Sequence, residues 1–154
     1  MANAIMIVAG RDVLQACGCD QLCSGLASGM EAAVHALGDL FNEHEGNEWG
    51  ILLINASNAF NSLNRKAALW NACHLWPHGC GFIFNCYKAW STLVVSGYST
   101  FLYSKEGVTQ WDPLSLAVYA ISVLPLIRAL KDTEAGLKLG TLMMPVVGAS
   151  CIAC

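Results

Sequence analysis

The chain has 154 residues, of which 55% are hydrophobic and only 12% charged, with a formal net charge of −3. This length suits one domain with a real core, and the composition argues against disorder while leaving an under-charged surface. The acidic balance argues against tight, sequence-independent nucleic-acid binding, which needs clustered Lys and Arg. The only local basic cluster is Arg65 with Lys66.

The N-terminal "MANAIMIVAGRDVL" has no basic n-region and meets Arg11-Asp12 too early for a secretory signal. An intracellular protein is therefore expected, with its eight cysteines reduced. No apolar run reaches the roughly 20 residues of a membrane span, so no membrane partner is expected.

In chain order, "GMEAAVHALGDLFNEH" (29–44) places Ala33, Val34, Leu37, Leu40 and Phe41 at helical spacing, with His35 at the helix boundary. "WGILLIN" (49–55) has the character of a buried strand. "RKAALWNACHLW" (65–76) predicts a helix stopped by Pro77, and "GFIFNCYKAWS" (81–91) a third helix. "TLVVSGYSTFLYS" (92–104) reads as a hairpin turning at Ser-Gly. "PLSLAVYAISVLPLIRALKD" (113–132) predicts a long helix, with Asp112 as N-cap, Pro113 at its first position and a kink at Pro125. The class is mixed α/β, with no internal repeat. Beyond Asp132 periodicity fades, and the last sixteen residues, 139–154, carry no charge. A buried C-terminal strand is one reading of them.

Two features invite chemistry. Cys73, His74, His78 and Cys80 in "CHLWPHGC" could be taken for a zinc set, but there is no paired CxxC and Pro77 interrupts the segment. Buried cysteine and surface histidine explain them as well, with Trp76 competing for the core. The second is the pair "NASNAFNSLNR" (55–65) and "GVTQWDPLSLAVYA" (107–120). It resembles reverse transcriptases of non-LTR-type retroelements, whose corresponding segments run DASNAFN and GVTQGDPLS. The resemblance extends upstream through "DQLCSGLASGMEAAVHAL" (20–37) and covers the chain to about Asp132.

The resemblance implies a partial fingers-palm: an α/β sheet with helices packed on one face, incomplete at the C-terminus. It also implies RNA-directed DNA polymerisation, nucleotidyl transfer to a primer 3′-hydroxyl using two metal ions, Mg²⁺ in the family, with primer-template and dNTP as partners. Asn55 stands where the family has its first metal-binding aspartate. Phe60 matches the aromatic under the incoming sugar, although plain core packing explains a phenylalanine equally well. Gln110 matches the contact to template and incoming base. Trp111 stands at a glycine, where bare backbone lies against the nucleotide.

The departures fall where the chemistry occurs. Asn55 and Trp111 are each one base from the family residue. The family's tyrosine-alanine-aspartate-aspartate motif is missing, and "LGTLMMPVV" stands at about its distance. Methionine has the single codon ATG, so reading from the third base of each codon, Met143 into Met144 gives aspartate and Met144 into Pro145 gives alanine. Residues 139–142 permit Trp-Tyr-Ala-Asp in that frame. Residues 1–138 are therefore expected to be a partial fingers/palm domain and 139–154 an out-of-frame tail.

On this reading β-strand 49–55 lacks its partner hairpin and presents a bare edge. The expected protein is a degenerate polymerase fragment, inactive by itself, with no metal site and no cofactor of its own. Two alternatives are an active polymerase fragment and a small non-catalytic interaction or nucleic-acid-binding module reusing the palm. Nothing in the sequence identifies a protein partner.

Overall fold

The computed structural model describes residues 2–20, 28–43, 46, 52–97, 99–109, 112–133, 139–144 and 148–153. In chain order these form α1 (Ala2–Cys17), a 3-10 turn (Gly18–Asp20), α2 (Gly29–Glu43), β1 (Leu52–Asn55), α3 (Arg65–Leu75) and α4 (Pro77–Tyr87). There follow β2 (Ser91–Leu93), β3 (Leu102–Ser104), α5 (Pro113–Thr133), β4 (Leu139–Met144) and β5 (Gly148–Ala153). The architecture is mixed α/β and rich in helix. A three-stranded antiparallel sheet has the order β1-β5-β4, and β2-β3 is a separate two-stranded hairpin.

Helix α5 organises the core. Leu114, Val118, Ile121 and Leu124 recur at helical spacing and are buried, packed with Val13 and Cys17 of α1, Ala68 and Ala72 of α3, and Ile83 of α4. Its start follows the sequence: Asp112 Oδ1 accepts from the Leu114 amide at 3.2 Å, ahead of Pro113 in the first turn. The helix continues through Pro125. Proline supplies no amide hydrogen to the preceding turn, and the nearby Ser122 carbonyl accepts from Asn71 Nδ2 at 3.1 Å. By length and composition α5 could cross a membrane, which corrects the expectation that no segment reaches that length, but half of it is buried inside the chain. It serves as a core helix.

The α3–α4 corner turns on Pro77. Asn64 caps α3, its side chain accepting from the Ala67 amide at 2.9 Å. Pro77 ends α3 and opens α4, so the third predicted helix begins four residues earlier than its apolar run suggested. A proline at the first helical position loses no hydrogen bond. Trp76 is buried over Gly79, where a Cβ would stand 2.5 Å from the indole. The reversal at the corner brings Cys73 and Cys80 into a disulfide, with their Cα atoms 4.8 Å apart. For this pair the expectation of reduced thiols is corrected. His78 faces Asp12 at 3.4 Å instead, and no group of three or more His, Cys, Asp or Glu among the described residues could hold a metal.

The hairpin forms, with Ser91 opposite Ser104 and Leu93 opposite Leu102, and Gly97 at φ 86° lies near its centre. Its strands are short, three residues each. Helix α2 matches its predicted span but is only partly covered: Leu37 and Leu40 are half-buried, whereas Val34 and Phe41 are exposed. Helix α1 had no counterpart in the sequence reading, because its apolar residues lie nearly all round the helix, and Ile7 and Val8 remain exposed.

The tail departs most from expectation. β5 pairs with β1 from Leu52↔Ala153 to Asn55↔Ser150, and β4 pairs with β5 on its other edge. The bare β1 edge expected from the sequence is therefore covered by residues 148–153. A ladder of backbone groups needs extended residues rather than particular side chains, and an uncharged run containing Ile, Thr and Val extends readily. The predicted strand upstream of Leu52, residues 49–51, lies outside the described residues.

Asp20 ties the 3-10 turn to α5 through Lys131 and through Arg128 Nε at 3.3 Å. Partial burial raises its carboxyl pKa, but the hydrogen bonds from Lys131 and Arg128 outweigh that and hold it below the ordinary 3.8. The unfolded chain then binds the proton more readily, so this contribution is present above 3.8 and is lost as pH falls through the folded value. Urea midpoints taken from about pH 6 down to about pH 3 should fall, and Asp20→Asn should lower the upper value and flatten the decline. For the disulfide, alkylation of the unreduced protein should leave Cys73 and Cys80 unlabelled until a reductant is added, as read by peptide mass spectrometry. The Cys73→Ser, Cys80→Ser double variant should lose about 2–3 kcal/mol of stability, as expected for closing so short a loop.

Candidate functional site

The two sequence segments singled out above meet in space. The turn after β1 is shaped by Asn58 at φ 52°, a left-handed value that asparagine tolerates better than most residues. Its carbonyl accepts from the Ser62 amide at 3.0 Å, and its side chain accepts from Asn61 Nδ2 at 2.7 Å. Against this turn lies the second segment: the Gly107 amide donates to Leu63 O and the Val108 amide to Phe60 O, both at 2.8 Å. Gly107 has φ 78°, and a Cβ there would stand 2.4 Å from Asn61 O, so only glycine fits.

Arg65 locks this seam. It is 7% exposed, and its Nε donates to Gly107 O at 2.7 Å. Nη1 donates to Ala89 O and Ser104 O, each at 3.1 Å, and Nη2 to Ser104 Oγ at 3.0 Å. The Arg65 amide donates to Glu106 Oε2 at 3.0 Å, and the guanidinium lies 5.6 Å from the Tyr87 ring centroid. Tyr87 Oη shares a buried 3.0 Å hydrogen bond with Ser115 Oγ, joining α4 to the first turn of α5. Burial pushes the Tyr87 phenol up, against the stabilising bond with Ser115. Asp112 raises the phenol further and also raises the nearby Cys86 thiol, for which burial is the larger cause.

Phe60 is buried at the same seam, 7% exposed, with its ring centroid 5.1 Å from that of Tyr119. Asn55 ends β1, and its backbone pairs with Ser150. Gln110 and Trp111 lie outside the described residues. Phe60 and the segments around Asn55 and Gly107 are thus brought together.

Sequence reasoning grouped Arg65 with Lys66 as a local basic cluster. The structure separates the two: Lys66 is exposed, whereas Arg65 is buried and donates four side-chain hydrogen bonds. Tyr87 and Ser115 were missed altogether, since a tyrosine ending one helix and a serine beginning another carry no local mark. Chemically the seam is a clamp. Asp112 caps α5, Glu106 accepts from the Arg65 amide, and no described cluster offers the carboxylates that a pair of divalent cations needs. Compared with known proteins, the chain matches no family model, no curated protein and no solved structure.

Arg65→Lys keeps the charge but cannot fork to Gly107, Ala89 and Ser104 together. Chemical denaturation should show a loss of about 3 kcal/mol, because buried carbonyls lose charged donors. A loss below about 0.5 kcal/mol, usual for surface positions, would show that the clamp does not carry the seam.

Proposed function

We propose that the chain is a degenerate remnant of a retroelement reverse transcriptase, an intracellular partial fingers-palm without polymerase activity of its own. The observation that carries this reading is the seam: the two segments resembling the family's motifs, some forty residues apart, pack as one unit through Phe60, Leu63, Gly107 and Val108. Strand order adds support. The family's metal-ligand hairpin pairs beside the strand that ends at the first aspartate, and here β4-β5 lies beside β1.

The catalytic residues do not follow the scaffold. Position 55 carries an amide, and β4, where the family would present its aspartates, reads "LGTLMM". These residues do not fit two Mg²⁺ ions, which require carboxylate oxygens. The family's primer-template and dNTP therefore lack a complete site in this chain. The tail is read as an out-of-frame product that still supplies extended backbone to β1, and sequencing the DNA across codons 132 to 154 tests that directly.

In primer extension with Mg²⁺ or Mn²⁺ the purified chain should incorporate no dNTP above background. The Asn55→Asp, Trp111→Gly double variant should remain inactive, since one carboxylate cannot hold two metals for in-line displacement. Template-dependent extension by either protein would overturn the reading.

A further inference from the structure

The Cys73–Cys80 bond joins the last turn of α3 to the first turn of α4, and the loop it closes contains Trp76, 2% exposed. Trp76 caps one helix and precedes the next. Its amide donates to Ala72 O at 2.8 Å, and its carbonyl accepts from the Gly79 and Cys80 amides at 3.1 and 3.2 Å. The indole lies against Gly79, with no room there for a Cβ. Its Nε1–H is buried and has no acceptor among the described residues. A buried donor without a partner opposes burial of its ring, because water would supply the missing hydrogen bond. The corner thus buries a side chain whose polar end favours solvent, inside a loop that a covalent bond holds shut.

The bond is open to an attacking thiol, since Cys73 is exposed and Cys80 half-buried. Cys80 lies in the first turn of α4, where the helix N-terminus favours a thiolate, and this makes it the better leaving group. We propose that Cys73–Cys80 is a thiol-exchange site that latches the corner: reduction by a small thiol of the glutathione class opens it locally and releases the Trp76 indole from the core into water.

In the first step the thiolate RS⁻ bonds to Cys73 Sγ, the disulfide breaks, and its electron pair leaves on Cys80 Sγ. A second RS⁻ attacks the RS sulfur of the mixed disulfide, releasing RSSR and the Cys73 thiolate. Two RSH are thereby oxidised to RSSR, and their two protons go to the two cysteine sulfurs. The exposed Cys86 and the buried Cys17 are free thiols and take no part. Opening stays local, because α3 remains anchored on α5 ahead of the corner through Ala68, Ala72 and the Asn71 bond to Ser122 O. The latch does not depend on a polymerase ancestry.

The test is residue-resolved amide hydrogen exchange on the full chain, with and without reduced glutathione. Reduction should speed exchange of the Trp76, Gly79 and Cys80 amides roughly 30- to 100-fold, the effect of releasing so short a loop. In the reduced chain those rates should stay flat in sub-denaturing urea, because a local opening exposes little surface, whereas the Ile121 and Leu124 amides of α5 should speed up with urea. Tryptophan emission should shift to the red on reduction in the wild type but not in Trp76→Phe. The Cys73→Ser, Cys80→Ser variant should exchange fast at the corner with or without glutathione. Equal exchange in both redox states, or corner rates that climb with urea in step with α5, would overturn the proposal. So would a response to glutathione that survives in the double serine variant, or a red shift that survives in Trp76→Phe.

Discussion

A buried guanidinium needs acceptors for its donors, and the rest of this fold is arranged around supplying them to Arg65. Its neighbours are mostly neutral: the carbonyls of Ala89, Ser104 and Gly107, the Ser104 hydroxyl and the face of Tyr87. Carbonyl dipoles can satisfy a buried cation only when several converge, because each contributes less than a carboxylate would. The convergence fixes four stretches relative to one another: the turn after β1, the end of α4, the hairpin exit and the Gly107 turn. Tyr87, against the guanidinium, shares a hydrogen bond with Ser115 in the first turn of α5, which ties the start of that helix to the same cluster.

The helices and their caps were largely legible because their signals are local. Asp112-Pro113 marks the start of α5, Pro77 marks the corner, and the spacing from Leu114 to Leu124 marks the buried face. What escaped reading was long-range. Arg65 looks like any basic residue at a helix start, and its burial depends on Gly107 and Ser104, some forty residues away. The Cys73–Cys80 bond depends on how sharply the corner folds, which spacing alone does not tell. Helix α1 escaped for a different reason: apolar residues on all sides remove the periodicity by which an amphipathic helix is recognised. Of the four candidate site residues, the described structure gives a full environment only to Phe60, and that environment is the core, packed on Tyr119.

The sheet separates two requirements that a catalytic palm must meet together. Strand pairing uses backbone amides and carbonyls, which every residue except proline supplies in full. Metal binding uses particular side chains at particular rows. Here the pairing is present: one row of the ladder runs from Asn55 through Ser150 to Leu142. In the proposed ancestry, the shifted reading frame would place an aspartate across Leu142 and Met143, beside that same row. A frame change that preserves an uncharged, extended tail can therefore keep the ladder and still erase every ligand in it.

The same separation bears on the surface. A polymerase palm is covered by further elements and by its nucleic acid, so its apolar and charged patches evolve against partners. In the proposed ancestry, in which ligands and flanking elements are lost, the interior would continue to constrain Arg65, Gly107 and Trp76, because each is held by atoms within the chain. The hairpin face and the outer stripe of α2, by contrast, expose Trp90, Val94, Phe101, Tyr103, Val34 and Phe41. Their apolar residues then persist without a cover, and a low overall charge does little to keep copies apart.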